Sequence, residues 1–234
     1  FTYVGSSDNG LWRLDRWHWW QPGWWRQNAK ALSATQTPLV LEGSAAAPPG
    51  MVWVPPGEFE MDQEGQAHLH YLDEYFIDWF EVTWAEYCGQ EPKARGCDRD
   101  ASGKNLPVDQ VTGAQAEAYC RAVGKQLPTE EEWEKAARGA DGRRFPWGDK
   151  EPMAADNLLN LTVLEPSPPG QYPLGRSPYG AEDMIGNVFE LTIDIQQTGY
   201  LPRGGAWGTL HWDATTRTRV AVPGVGVGFR CMLR

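Results

Sequence analysis

Short runs of period-two alternation mark the middle of the chain, and longer helical spacings follow them. Met51-Val52-Trp53-Val54 is an apolar run broken by Pro55-Pro56-Gly57, after which Glu58-Phe59-Glu60-Met61 resumes the alternation; both predict strands. His68-Leu69-His70-Tyr71-Leu72 alternates in the same way, which puts His68 and His70 on one strand face. A metal pair at those histidines is the competing reading. Tyr75-Phe76-Ile77-Asp78 predicts a further strand. Three helix starts then announce themselves by capping boxes, in which a Thr accepts from the amide three residues on and the side chain there reaches back. They are Thr83 with Glu86, Thr112 with Gln115, and Thr129 with Glu132. The second helix carries an apolar stripe at Ala116, Tyr119, Cys120 and Val123 and stops at Gly124. The third, Glu130 to Arg138, has its acids in the first turn and Lys135 and Arg138 near the last, as the helix dipole prefers. After Gly139, glycine and proline break the chain into loops and short strands. The pattern predicts an α+β domain with long loops.

Residues 1–50 are different. They hold Trp12, Trp17, Trp19, Trp20, Trp24 and Trp25, and they end in Ser44-Ala45-Ala46-Ala47-Pro48-Pro49-Gly50, which reads as a linker. The organisation expected is therefore a Trp-rich extension over 1–50 and one domain over 51–234. The irregular Trp spacing, with no polar clamp, favours packing over a stacking platform for a ligand. A net charge of −10 argues against nucleic acid as a partner. No apolar run approaches the roughly 18 residues of a membrane helix, so no membrane span is expected. The cysteines, at 88, 97, 120 and 231, form no Cys-x-x-Cys pair. Cys88 and Cys97 lie near enough for a small disulfide loop, and a reduced pair is equally compatible.

Several segments in order resemble the formylglycine-generating-enzyme-like (sulfatase-modifying factor) branch of the C-type-lectin-like fold. They are Met51-Val-Trp-Val-Pro-Pro-Gly-Glu-Phe-Glu-Met61, Asp78-Trp-Phe-Glu-Val-Thr83, Pro107-Val108 and Ala118-Tyr119-Cys120-Arg121. Gly124-Lys-Gln-Leu-Pro-Thr-Glu-Glu-Glu-Trp-Glu-Lys-Ala-Ala-Arg-Gly139, Arg144-Phe-Pro-Trp-Gly-Asp149, Tyr179-Gly180 and Asp183-Met-Ile-Gly-Asn-Val-Phe-Glu190 follow. The frame closes with Arg203-Gly204-Gly205-Ala206-Trp207 and Gly228-Phe229-Arg230. The resemblance implies a small antiparallel sheet, two main helices and long loops. It also implies that the N- and C-terminal strands pair, with Arg230-Cys231-Met232 beside Met51-Val52-Trp53.

Catalytic members of that family hold copper(I) on two thiolates after the Gly-Gly pair, a soft ion on soft ligands. The corresponding positions here are Thr209 and Ala214, and no cysteine stands between Gly205 and Gly228. No copper and no enzymatic activity of that kind are therefore expected. The resemblance further implies calcium, held by the side chains of Asp183 and Glu190 and the carbonyls of Gly186 and Val188; oxygen donors suit that hard ion. Carboxylates capping backbone amides without metal are the alternative. A second calcium site of the family, beginning at Asn157-Leu158, has no recognisable acidic partner downstream.

The stretch from Gly208 to Gly228 also has a codon signature. Codons of the form N-N-C, which arise when the adenines of an Asn codon are scrambled, never encode Glu, Lys, Gln, Met or Trp. Those five types make up 53 of the 234 residues, so a stretch of 21 would hold about five; this one holds Trp212 alone. Glycine-rich loops avoid the same residues for backbone reasons. The pattern resembles the variable proteins of diversity-generating retroelements, which display a hypervariable C-terminal face inside this same frame. That resemblance makes Trp207, Arg217 and Arg219 scaffold. The exposed set becomes Gly208, Thr209, Leu210, His211, Asp213, Thr216, Thr218, Val220, Val222, Gly224 and Val225. The function it implies is display of this segment to a protein ligand, on a cell surface or a phage particle. An accessory domain with a fixed partner is the alternative.

Overall fold

Alternation in the sequence becomes a set of small sheets around two cores. The computed structural model describes residues 5–7, 10–12, 47–63, 66–150, 165–194, 199–207 and 226–234. The chain divides into two units, Phe1–Val40 and Leu41–Arg234. In the first, β1 (Gly5–Ser7) and β2 (Gly10–Trp12) pair antiparallel, with Gly5 opposite Trp12. The Trp cluster from 17 to 25 lies outside the described residues.

The second unit opens with β3 (Met51–Val54), β4 (Gly57–Gln63), β5 (Gln66–Leu72) and β6 (Tyr75–Asp78). Helices α1 (Trp84–Gln90), α2 (Ala101–Lys104), α3 (Gly113–Ala122) and α4 (Glu130–Arg138) follow. Strands β7 (Phe189–Asp194), β8 (Gly199–Arg203), β9 (Val227–Gly228) and β10 (Met232–Leu233) complete it. Thr83, Thr112 and Thr129 each cap a helix in a full capping box. The two longest helices are α3 and α4, and the short α1 and α2 add to them. His68 and His70 lie on the strand β5, where His70 packs 5.9 Å from Phe59 and pairs with Glu131 at 3.2 Å.

One expectation about the sheets needs correction. The terminal strands do not pair with each other: in the sheet β10-β6-β3, β6 stands between them and uses both edges. Tyr75 and Ile77 on β6 are buried, and a central place satisfies both rows of backbone groups. That sheet is small and antiparallel throughout, as expected. In β8-β7-β9, β9 returns beside β7 in parallel, with Glu190 opposite Gly228.

One core joins Val54, Tyr75, Ile77, Trp133, Ala136, Met184 and Met232. The other joins Val82, Trp84, Tyr87, Val108, Tyr119, Leu191 and Phe229. Both expected thiols of the small loop are used, in a Cys88–Cys97 disulfide, and a second disulfide links Cys120 on α3 to Cys231. The second spans 111 residues and fastens the last strand to the helical layer. Helix α4 is charged along most of its length, yet all its residues except the half-buried Glu131 are buried. Ion pairs and carbonyls make that tolerable: Arg138 pairs with Glu134 at 2.5 Å, and Lys135 donates to the carbonyls of Pro55 and Gly57.

Candidate functional site

The two halves of the C-terminal frame are both fixed in the interior. Arg203 is fully buried, pairs with Glu134 and with Glu130 at 3.8 Å, and lies over the Trp133 ring at 5.3 Å. Gly204 follows at φ +85°, and a side chain there would meet the Met184 carbonyl oxygen at 2.7 Å, so only glycine fits. Its carbonyl accepts from Gly186 N–H, and Trp207 N–H donates to Asn187, both at 2.9 Å. On the far side, Phe189 N–H donates to Gly226 at 3.2 Å, and Val227 N–H donates to Asp109 at 2.9 Å. A side chain at Gly228 would meet the Val108 carbonyl oxygen at 2.2 Å. Phe229 then packs against Tyr119 and Tyr87, with ring centroids 5.4 and 6.3 Å away.

Trp207 and Gly226, which flank residues 208–225, are thus both hydrogen-bonded to one stretch, residues 186–189. That loop is held in turn by Asn187, whose side chain accepts from Ser167 N–H and donates to the Ser167 carbonyl. The eleven residues predicted to form the binding face, and Thr209 and Ala214 in the place of the copper ligands, lie outside the described residues. Asn157-Leu158 lies outside them as well.

The predicted calcium residues are all described and buried: Asp183, Gly186, Val188 and Glu190. Asp183 and Asn187 take the left-handed backbone at φ 58° and 55°, and Gly186 sits at 86°. Consecutive turns of this kind wind the loop tightly. Asp183 Oδ2 accepts from Gly170 N–H at 2.6 Å, and Oδ1 is buried with no hydrogen-bond partner among the described residues. Glu190 is differently placed. Oε1 accepts from Arg230 Nη2 at 2.6 Å, and Oε2 accepts from Arg230 Nε at 2.6 Å and from Trp133 Nε1 at 2.7 Å.

Next to them is an acid the sequence reading did not single out. Glu81 is 2 % exposed, and neither of its carboxylate oxygens has a hydrogen-bond partner among the described residues. Burial drives its pKa well above the usual carboxylate range, and the charges of Asp183 and Glu190 push it the same way. Asp183 is raised to about 6, again by burial before any neighbour. Burial opposes the charge on Arg230, but Glu190, Glu81 and Asp183 together outweigh it and the guanidinium titrates higher than usual. The signal for Glu81 was a lone acid between Phe80 and Val82 in an apolar run, visible but unattached to any spacing rule.

As a cation site this is a partial fit. Asp183 Oδ1 and Glu81 are orphaned acids of the sort a hard ion neutralises, while Glu190 is already held by Arg230 and Trp133. Among the described residues no group of three His, Cys, Asp or Glu side chains is arranged to hold a metal ion. None of the described helices is long and apolar enough to cross a membrane.

The sulfatase-modifying factor enzyme 1-like domain family matches residues 37–234. A hercynine oxygenase of Mycolicibacterium smegmatis is 49% identical over 90 residues, covering 37% of this chain and 21% of that protein. The inactive C-alpha-formylglycine-generating enzyme 2 of Bos taurus is 34% identical over 155 residues, covering 54% of this chain and 50% of that protein. The chain thus spans about a fifth of one curated relative and half of the other. Among solved structures, Treponema denticola variable protein 1 superposes with a TM-score of 0.66 at 20% identity, covering 79% of this chain and 94% of that one. At that identity the likeness is one of fold: this is the C-type-lectin-like architecture of the formylglycine-generating-enzyme group.

Proposed function

This chain belongs to the sulfatase-modifying factor enzyme 1-like domain family, and we propose that it is a non-catalytic binding protein that displays residues 208–225 to a protein ligand. One observation carries the reading. The residues that flank a thiol-free segment are both hydrogen-bonded to one buried stretch, residues 186–189, Trp207 on one side and Gly226 on the other. Because those anchors are backbone groups and buried ion pairs, the identity of the displayed side chains does not enter the frame. The fold of Treponema denticola variable protein 1 and the depletion of Glu, Lys, Gln, Met and Trp in the segment support a diversified face. The bovine relative, inactive by its name, supports loss of catalysis, whereas the hercynine oxygenase is named as an enzyme.

The test is a library randomised at the eleven positions and displayed on yeast. Most members should fold, and selection against an arbitrary protein target should return binders. A library in which most members fail to fold, or one that yields no binder, contradicts the display reading. Stoichiometric copper in the purified protein, with oxidation of a thiol peptide, would contradict the non-catalytic part.

The same reading includes calcium at the loop 183–190, with Asp183, the carbonyls of Gly186 and Val188, and Glu190 as donors and Glu81 as the adjoining acid. The support is the surplus of buried negative charge around Arg230. Bound there, calcium would neutralise the carboxylates that Arg230 leaves unbalanced, stiffening the loop to which the displayed segment is tied. Isothermal titration of the chelator-treated protein tests it: one saturable site, lost in Asp183→Asn, supports calcium, and an absence of heat contradicts it.

A further inference from the structure

A cavity of 520 Å³ opens beside the N-terminus of α1. Its volume is in the range of small-ligand pockets, about 300–1,000 Å³. One part of its lining is apolar, from Phe80, Val82 and Pro168. The rest carries charge that is only partly balanced. Asp78 accepts from Lys125 Nζ at 2.5 Å and from Cys231 N–H at 2.9 Å, so that acid is satisfied. Glu86 has no such cation among the described residues: its Oε2 accepts from Thr83 N–H at 2.8 Å and Thr83 Oγ1 at 2.7 Å. Tyr119 joins the same lining. Its hydroxyl is pushed up to about 12, by burial and then by Glu86 and Asp78, so the two acids both act on that phenol.

Helix capping does not account for the charge on Glu86. The cap of α3 is built identically with neutral Gln115, whose Oε1 accepts from Thr112 N–H and Oγ1. The capping hydrogen bonds therefore do not require the charge, which also suits the dipole of α1, and the exposed Glu86 side chain lines a half-apolar cavity.

We infer that this cavity binds a small organic cation, a protonated amine carried on a flat apolar body. The ammonium would donate to Glu86 and to the Tyr119 hydroxyl, and the body would lie against Phe80, Val82 and Pro168. A charge-assisted hydrogen bond of this kind is about twice as strong as a neutral one, so the site discriminates against an uncharged molecule of the same shape. An anion would meet Glu86 without compensation.

Phenethylamine, with 2-phenylethanol as its neutral counterpart, is the probe, titrated into the intact chain by calorimetry and by NMR. The amine should bind saturably, and the alcohol about tenfold or more weakly. Glu86→Gln retains the capping geometry that α3 shows, so its melting temperature should stay unchanged while amine affinity falls about tenfold. Lys125→Met, which frees Asp78, should change affinity in the opposite direction and enlarge the melting shift that the amine produces. Absence of saturable binding, equal binding of amine and alcohol, or undiminished binding by Glu86→Gln each overturns the assignment. None of these results bears on the segment 208–225, so the display reading stands or falls separately.

Discussion

Two groups of buried acids lie in the larger unit, and they differ in how their charge is balanced. On α4, Glu130, Glu132 and Glu134 meet Arg203, Arg234 and Arg138, one guanidinium for each carboxylate. Around the loop 182–190, Glu182 has Arg176, but among the described residues Glu81, Asp183 and Glu190 share Arg230. Burial of an ion is costly unless a partner offsets it, and the second group settles this by driving Glu81 and Asp183 toward their protonated forms. The balanced group sets a matching number of carboxylates and guanidinium groups beneath the frame. The unbalanced group marks the place where an external cation would be most stabilising.

The largest effect expected concerns the segment between β9 and β10 that carries Arg230. Replacing Cys120 and Cys231 together by serine should cost roughly 5 kcal/mol in urea unfolding, against roughly 2.5 kcal/mol for the Cys88–Cys97 pair, because the first closes the longer loop. Equal losses would mean that the charge cluster, and not the disulfide, holds the C-terminal strand. Arg230→Met leaves three buried acids without their cation and should cost roughly 3–5 kcal/mol; a loss under about 1 kcal/mol would break the account of the unbalanced group.

The sharpest contrast comes from two identical substitutions. Glu134→Gln strips a partner from Arg138 and Arg203 and should destabilise by about 3 kcal/mol. Glu81→Gln removes a carboxylate whose oxygens have no hydrogen-bond partner among the described residues and, without calcium, should change stability by less than about 1 kcal/mol. Calcium should raise the melting temperature of the parent chain and do so less for Glu81→Gln. If the two variants lose stability equally, the two groups are not different in kind. The smallest effect is local: Thr129→Ala removes the cap of α4 and should cost about 1 kcal/mol, without altering calcium binding.

What the sequence revealed and what it withheld follow one physical division. The strands at Met51–Val54 and Tyr75–Asp78 and all three capping boxes are local patterns, complete within a few residues, and they stand where the alternation and the Thr-x-x-Glu/Gln spacing put them. The place of β6 between β3 and β10, the parallel return of β9 and the Cys120–Cys231 bridge depend on residues far apart in the chain. No local period encodes them. Helix α4 illustrates the limit: Glu-Glu-Glu-Trp-Glu-Lys-Ala-Ala-Arg has the charge of a solvated face, and it is buried because Arg203 and Arg234 arrive from distant segments. Glu81 was overlooked for the same reason, since its neighbours Asp183 and Arg230 lie over a hundred positions away. The frame itself was legible only through its resemblance to the family; the structure supplies the reason, since each half, Arg203-Gly204-Gly205 and Gly228-Phe229-Arg230, combines a close backbone approach with a buried arginine.

The most direct measurement for the display reading is deep sequencing of the codons for residues 203–230 across a natural population carrying this gene, together with the flanking DNA. The account predicts substitutions concentrated at the eleven positions from Gly208 to Val225, at codons reachable from an Asn codon, with Arg203, Gly204, Gly228 and Arg230 unchanged. A near-copy of the segment bearing adenines, beside a reverse-transcriptase gene, should accompany them. A terminus equally constant at the eleven positions and in the frame, with no such copy nearby, would contradict display and favour a domain with one fixed partner.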